Sequence, residues 1–276
     1  MPPILCPNCR KLISSDEPVC PYCRIRNPGR RWKQALGTWL TVEPQTLIRA
    51  IITVCVVMFG LSVALDPMRG GHGMNPLALL DPSDRSLLFL GATGTVPVFR
   101  LHRWWSLLAA NYLHGGILHL FFNMVALAQI GPFVAREYGA SRLLVIYTLG
   151  GVAGFLVSVV AGVGFTIGAS AAILALIGAA MYYGKSRGGG YGQAVFRQLW
   201  GWTVGIFVFG MLFPGINNWA HGGGLAAGFV LGHLLGYRER TREGPVHRLL
   251  AVVCVVATGA ALAWGVGGAL LWRMGG

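Results

Sequence analysis

Two side chains in this sequence have the chemistry to break a bond together: Ser170, in Gly168-Ala169-Ser170-Ala171, and His221, in Ala220-His221-Gly222-Gly223-Gly224. They lie in separate apolar segments, and no such segment carries a carboxylate at its centre. Polar groups at bilayer depth are costly and tend to be retained for a purpose. A hydroxyl and an imidazole there read as nucleophile and general base. Taken singly, Ser170 also reads as an N-capping serine and His221 as a packing histidine; the pair favours chemistry.

Other groups stand ready to join them. The second apolar span opens Asn111-Tyr112-Leu113-His114-Gly115-Gly116-Ile117-Leu118-His119-Leu120-Phe121-Phe122-Asn123. His119 and Asn123, four residues apart, share a helix face and can point donors into a common cavity. His114, five before His119, does not share that face well. Histidine pairs also bind Zn²⁺, but HExxH is absent and no Asp or Glu lies near enough in sequence to suggest a third ligand. Ser170 follows a Gly-rich break and starts a helix, where the first N–H groups lack internal partners and carry the positive end of the dipole. Its own N–H is then available to stabilise an oxyanion beside its hydroxyl.

The elements that must position these groups are membrane spans. The chain of 276 residues is 54% hydrophobic and 11% charged, with a mean hydropathy of +0.60, whereas a soluble domain carries about 25% charged residues. Seven candidates approach the roughly 20 residues that cross a bilayer: about 46–65, 110–132, 142–163, 168–184, 196–213, 219–237 and 249–272. The Gly-rich stretch 150–168 makes the third and fourth hard to separate. The first 45 residues are polar and rich in Cys and Arg, without the apolar stretch of a cleavable signal peptide. In the sixth span His221 shares a stripe with Gly224, Gly228 and Gly232, and the fourth offers Ala171, Ala172, Ala175, Gly178 and Ala179. Small residues at this spacing let helices approach closely, close enough to bring the Ser170 hydroxyl to a ring nitrogen of His221.

The net charge of +13 is a topology signal rather than a nucleic-acid footprint. Arg and Lys concentrate before the first span and in the connections 2–3, 4–5 and 6–7, all on one side if seven helices alternate. Positive charge marks the cytoplasmic face, so the N-terminus is expected inside and the C-terminus outside, in a membrane read as a bacterial plasma membrane. A secondary reading is attraction to anionic lipid at the inner leaflet.

Cys6-Pro7-Asn8-Cys9 and Cys20-Pro21-Tyr22-Cys23 form two CxxC knuckles, the signature of a tetrahedral Zn²⁺ site. Redox dithiols or disulfides are the alternative, disfavoured in the cytoplasm. A head this small needs the metal to fold. The expected division is a zinc ribbon over 1–26, a basic linker over 27–45 anchored by Trp32 and Trp39, a six-helix core over 46–237, and a cytoplasmic loop with an additional transmembrane helix over 238–276. Whether the head contacts a cytoplasmic partner or caps the chain stays open. The loop 66–103, with Pro67, Pro76, Pro82 and Pro97, reads as a partly embedded irregular segment, tolerated where protein buries it; an ordinary long loop is the alternative.

All nine acids (Asp16, Glu17, Glu43, Asp66, Asp81, Asp84, Glu137, Glu239 and Glu243) lie outside span centres. That argues against an intramembrane aspartyl or HExxH metalloprotease and leaves a Ser–His dyad, whose imidazole can be oriented by packing.

Taken in order, Trp104-Trp105, His114-x4-His119-x3-Asn123, Gly168-x-Ser170 and Ala220-His221-x-x-Gly224 resemble the rhomboid family of intramembrane serine proteases, over about residues 46–237. The resemblance implies an all-α membrane protein with a six-helix core plus one C-terminal helix, and a water-accessible site opening outward. It implies Ser170 as nucleophile and His221 as base. The Ser170 N–H, His119 and Asn123 would form the oxyanion hole, with His114 a conditional member nearby. The substrates would be transmembrane proteins within the lipid bilayer, with no catalytic cofactor. It further implies that 66–103 is the membrane-embedded first loop, that the fifth span is part of a lateral gate, and that Glu137 is a structural anchor. Three departures stand out: Ala171 where the family has Gly, Leu174 where an aromatic often lies beneath the histidine, and Ser106 where the family has Arg. The Ala171 methyl would crowd the oxyanion hole or tighten the helix start, and Leu174 leaves the ring to aliphatic packing. An inactive, client-binding relative is the second reading. A transporter is the third, without a buried charge or half-helix repeat to support it.

Overall fold

A helix apolar on every side belongs in the middle of a bundle, and Ser170–Arg187 is such a helix: Ala171 through Met181 are all buried. In this computed structural model, which describes residues 3–7, 11–30, 43–66, 81–213 and 215–275, the remaining elements wrap around it. They are β1 (Pro3–Leu5), β2 (Leu12–Ser14), α1 (Pro44–Leu65), α2 (Asp84–Leu90), α3 (Ile117–Tyr138), α4 (Ala140–Val160), α5 (Ser170–Arg187), α6 (Gly189–Leu212), α7 (Asn218–Leu235) and α8 (Pro245–Gly275). Cys9, residues 31–42 of the linker with Trp32 and Trp39, and loop residues 67–80 lie outside the described residues.

The chain is a multi-pass membrane protein. Among the described residues, α1, α3, α4, α6 and α8 are long and apolar enough to cross a membrane. The two shorter helices, α5 and α7, carry Ser170 and His221 and pack on each other more extensively than any other pair. Their contact is made of backbone. A methyl added to Gly224 would collide with the carbonyl of Ala171, one on Gly228 with that of Ala175, and one on Gly178 with that of Leu225. The stripe read from the sequence is this interface.

Span limits differ from the sequence reading where glycine interrupts an apolar run. The second span starts not at 110 but at Ile117: residues 106–112 form two tight turns, and the chain is extended at Leu113 and Gly116. His114 therefore precedes the helix. The third span ends at Val160, and an irregular segment with left-handed Gly162 and Gly168 leads to Ser170. The fifth begins at Gly189, seven residues earlier than expected, and α8 runs longer than 249–272.

Within the long loop, the described part is built rather than irregular. Ser83 caps α2 by accepting from the Ser86 N–H (3.0 Å), and Gly91 ends it in the left-handed conformation. A π-helical turn follows at Val96–Arg100. Leu87, Leu90, Ala92 and Val98 are buried, so protein covers this segment. In the head, β1 and β2 pair antiparallel with Ile4 opposite Ile13, and Ile13 shares a small core with Cys6 and Cys20.

Candidate active site

Ser170 is the first residue of α5 and His221 lies in the first turn of α7. The glycine–alanine seam holds these starts together, and His221 Nε2 lies 2.9 Å from Ser170 Oγ. His221 is 6% exposed, and its Nδ1 reaches no partner among the described residues. No acid orients it. Instead Phe207 of α6 meets the ring edge-on, centroids 6.3 Å apart. An aromatic neighbour thus comes from α6, where the sequence reading anticipated aliphatic packing around Leu174.

His119 approaches the same point from α3. A methyl on Gly168 would come 2.7 Å from His119 Nε2 and 3.7 Å from Ser170 Oγ, so both atoms border the space beside that glycine. Gly168 has φ +124° as well, a backbone position that L side chains rarely adopt. His119 Nδ1 accepts from the Gly115 N–H (3.4 Å), which leaves the proton of a neutral ring on Nε2. An N–H donor therefore borders the space beside Gly168, as the Ser170 hydroxyl does. Asn123 is 7% exposed and commits one of its two N–H bonds to the His119 carbonyl (2.8 Å). His114 is fully buried, and neither ring nitrogen is within hydrogen-bond geometry of a partner among the described residues; it meets His119 edge-to-face, centroids 5.1 Å apart.

The departures noted in the sequence have local answers. The Ala171 side chain points at Gly154 of α4, where an added methyl would come within 2.9 Å of its Cβ. It packs with Phe155, Val159 and Ala220, which favours a tightened helix start. Ser106 is buried and donates to Thr93 Oγ1 (3.0 Å), while Arg103, three residues earlier, donates to the Leu88 carbonyl (2.9 Å). Glu137 accepts from its neighbour Arg136 (2.7 Å), which also reaches Tyr191 of α6 (3.3 Å).

Sequence reasoning missed the residues that seat the two helix starts. Asn217 donates to Ser158 Oγ (2.6 Å) and Thr166 Oγ1 (2.9 Å), and its Oδ1 caps α7 by accepting from the Ala220 N–H (3.1 Å). Thr166 and Thr93 exchange backbone hydrogen bonds (2.7 and 3.0 Å). The signal was an Asn three residues before Ala220, an ordinary N-cap cue. Asp81 was also passed over: its Oδ1 sits where a methyl on Gly116 would come within 2.6 Å, and partial burial pushes its carboxyl up.

In the head, the sulfurs of Cys6, Cys20 and Cys23 lie within 4.8 Å of one another, and Cys6 and Cys23 are 3.6 Å apart. Zn–S bonds of about 2.3 Å in a tetrahedron put thiolates about 3.8 Å apart, so this group fits a metal ion.

Comparison with known proteins agrees with this architecture. Residues 101–238 match the model of the rhomboid domain. The chain is 34% identical over 182 residues to RHOMBOID-like protein 4 of Arabidopsis thaliana, covering 62% of this chain and 45% of that protein. It is 35% identical over 159 residues to Rhomboid protease GluP of Bacillus subtilis (strain 168), covering 56% and 30%. It is also 27% identical over 239 residues to Inactive RHOMBOID-like protein 8 of Arabidopsis thaliana, covering 80% and 65%. The match thus spans less than half of the first two relatives' own length.

Proposed function

Because the chain belongs to the rhomboid family, we propose that it is an intramembrane serine endopeptidase that cleaves transmembrane proteins in or next to their membrane segments. The observation that carries this reading is the 2.9 Å approach of His221 Nε2 to Ser170 Oγ, with His119 Nε2 bordering the same space. The Ser170 hydroxyl attacks the peptide carbonyl carbon as His221 takes its proton. The tetrahedral oxyanion faces the His119 Nε2–H, the Ser170 N–H and the free N–H of Asn123. His221 then returns the proton to the leaving amine, the C–N bond breaks, and the acyl group stays on Ser170. Water attacks that ester through the same base and frees the serine. No cofactor takes part. His114, edge-to-face with His119, adjoins this donor set as a further member.

The head, residues 1–26, holds one Zn²⁺ through Cys6, Cys9, Cys20 and Cys23, tethered by 27–45 to a core of 46–237, with 238–276 adding a loop and helix. The arginine-rich connections support a proposed topology with the N-terminus in the cytoplasm and the C-terminus outside, in a membrane read as a bacterial plasma membrane.

The test is purified protein in proteoliposomes with a single-span substrate. Cleavage that disappears in Ser170→Ala and in His221→Ala supports the reading; cleavage surviving Ser170→Ala overturns it. A second reading, an inactive client-binding relative, draws on the likeness to the inactive Arabidopsis protein. Substrate retained on the intact protein without cleavage would favour it.

A further inference from the structure

The C-terminal helix does more than add a span. Along its outer half, α8 packs on α2 and on the turn Ser106–Ala109. Gly265 fits against the end of α2: a methyl there would come 2.6 Å from the Leu90 carbonyl oxygen and 3.2 Å from the Trp105 ring. Ala269 is fully buried in the same core as Leu87 and Leu90. One turn on, Trp272 stacks on Phe89 with centroids 4.8 Å apart and planes 13° apart, and the Arg85 guanidinium lies 4.3 Å from the Trp272 ring centroid. Arg273 donates to the Ala64 carbonyl at the end of α1 (2.9 Å).

What α8 holds is connected to both reacting residues. The Ser106 hydroxyl donates to Thr93, Thr93 pairs with Thr166, and Thr166 accepts from Asn217, the cap of the helix bearing His221. Just past the turn, the Ala110 carbonyl accepts from the Gly168 N–H (2.9 Å), two residues before Ser170. The segment 84–110 is therefore the seat of both helix starts, and α8 is what presses on it from outside. A reacting pair must be held within a fraction of an ångström by such supporting contacts.

We propose that α8 is a positioning strut for the site, in which Gly265 and Trp272 are positioning residues that set the alignment of Ser170 with His221. The proposal rests on the proteolytic reading above. The test measures, on the full-length protein, the rate of Ser170 labelling by a fluorophosphonate, kcat and KM on a single-span substrate, and thermal melting. The variants are Gly265→Leu, Trp272→Ala and Trp272→Phe. The expected result is a fall of about tenfold or more in labelling rate and kcat for Gly265→Leu with KM near that of the parent. Trp272→Ala should show a smaller loss of the same kind, and Trp272→Phe, which can still stack on Phe89, should restore it. If Gly265→Leu fails to fold, the Trp272 pair decides, because Trp272 lies near the helix end. Parent-like labelling and kcat in a folded Trp272→Ala, or a change in KM alone, overturns the strut. Absence of labelling in the parent instead overturns the proteolytic reading, and the strut with it.

Discussion

The seam between α5 and α7 and the attachment of α6 beside it are built to opposite specifications. Along the seam, glycines and alanines let backbone touch backbone at three successive levels. On α6, only Gly192, Leu199 and Thr203 are buried, while Trp200, Trp202, Val204, Val208, Phe209, Met211 and Leu212 are exposed. Near its C-terminal end, Asn218 Nδ2 donates to the Phe207 carbonyl (3.2 Å). Tight packing therefore lies where two atoms must stay 2.9 Å apart. The neighbouring wall touches α5 closely at its start, where Gly192 meets Gly184, and buries few side chains beyond. Small-residue seams gain their stability from van der Waals contact and have little room to adjust; a wall of large exposed side chains can shift without opening a cavity.

The contrast can be broken most severely at Gly228. Gly228→Leu forces a side chain into the Ala175 backbone, and overpacking costs roughly 1–3 kcal/mol, with rigid backbone contacts at the upper end. Loss of Ser170 labelling and a lowered melting temperature are expected. Phe209→Ala, on the exposed face of α6, should leave melting unchanged within about 0.5 kcal/mol. Equal sensitivity at the two sites would erase the distinction. Next comes Asn217→Ala, which removes the cap of α7 and its ties to Ser158 and Thr166. A cap is worth about 1 kcal/mol, so a modest stability loss should accompany a larger fall in kcat, read by melting and kinetics together. The smallest effect on the core is expected from the head. Cys6→Ser with Cys20→Ser should abolish bound zinc, measured as metal per chain, yet leave the melting of the helical core and Ser170 labelling in place. Arg248 of α8 donates to the Pro7 carbonyl (3.3 Å) and so touches the head.

What the sequence made legible was whatever repeats or stands out locally. The Gly224-Gly228-Gly232 stripe foretold the seam, because its period is the helix period, and the CxxC pairs foretold the cysteine group. Ser170 and His221 were conspicuous as lone polar groups in apolar runs. The start of the second span was misjudged, since hydropathy does not register that Gly115-Gly116 interrupts the helix before His119. The contacts among Ser106, Thr93, Thr166, Ser158 and Asn217 were invisible for another reason. They join three stretches far apart in the chain, 93–106, 158–166 and 217, and each is an ordinary small polar residue whose meaning comes only from its partner. Phe207 beside His221 was missed likewise, because the ring comes from another helix. The same holds for Gly265 and Trp272, whose partners lie more than 150 residues earlier.

The central claim is that His221 makes the Ser170 hydroxyl nucleophilic. Its most direct test is reaction of the purified full-length protein with a fluorophosphonate, followed by peptide mapping of the adduct. The account predicts one adduct per chain, on Ser170, and its loss in His221→Ala while that variant still folds. An unmodified Ser170 in folded protein, or an adduct that forms as fast without the imidazole, would contradict it.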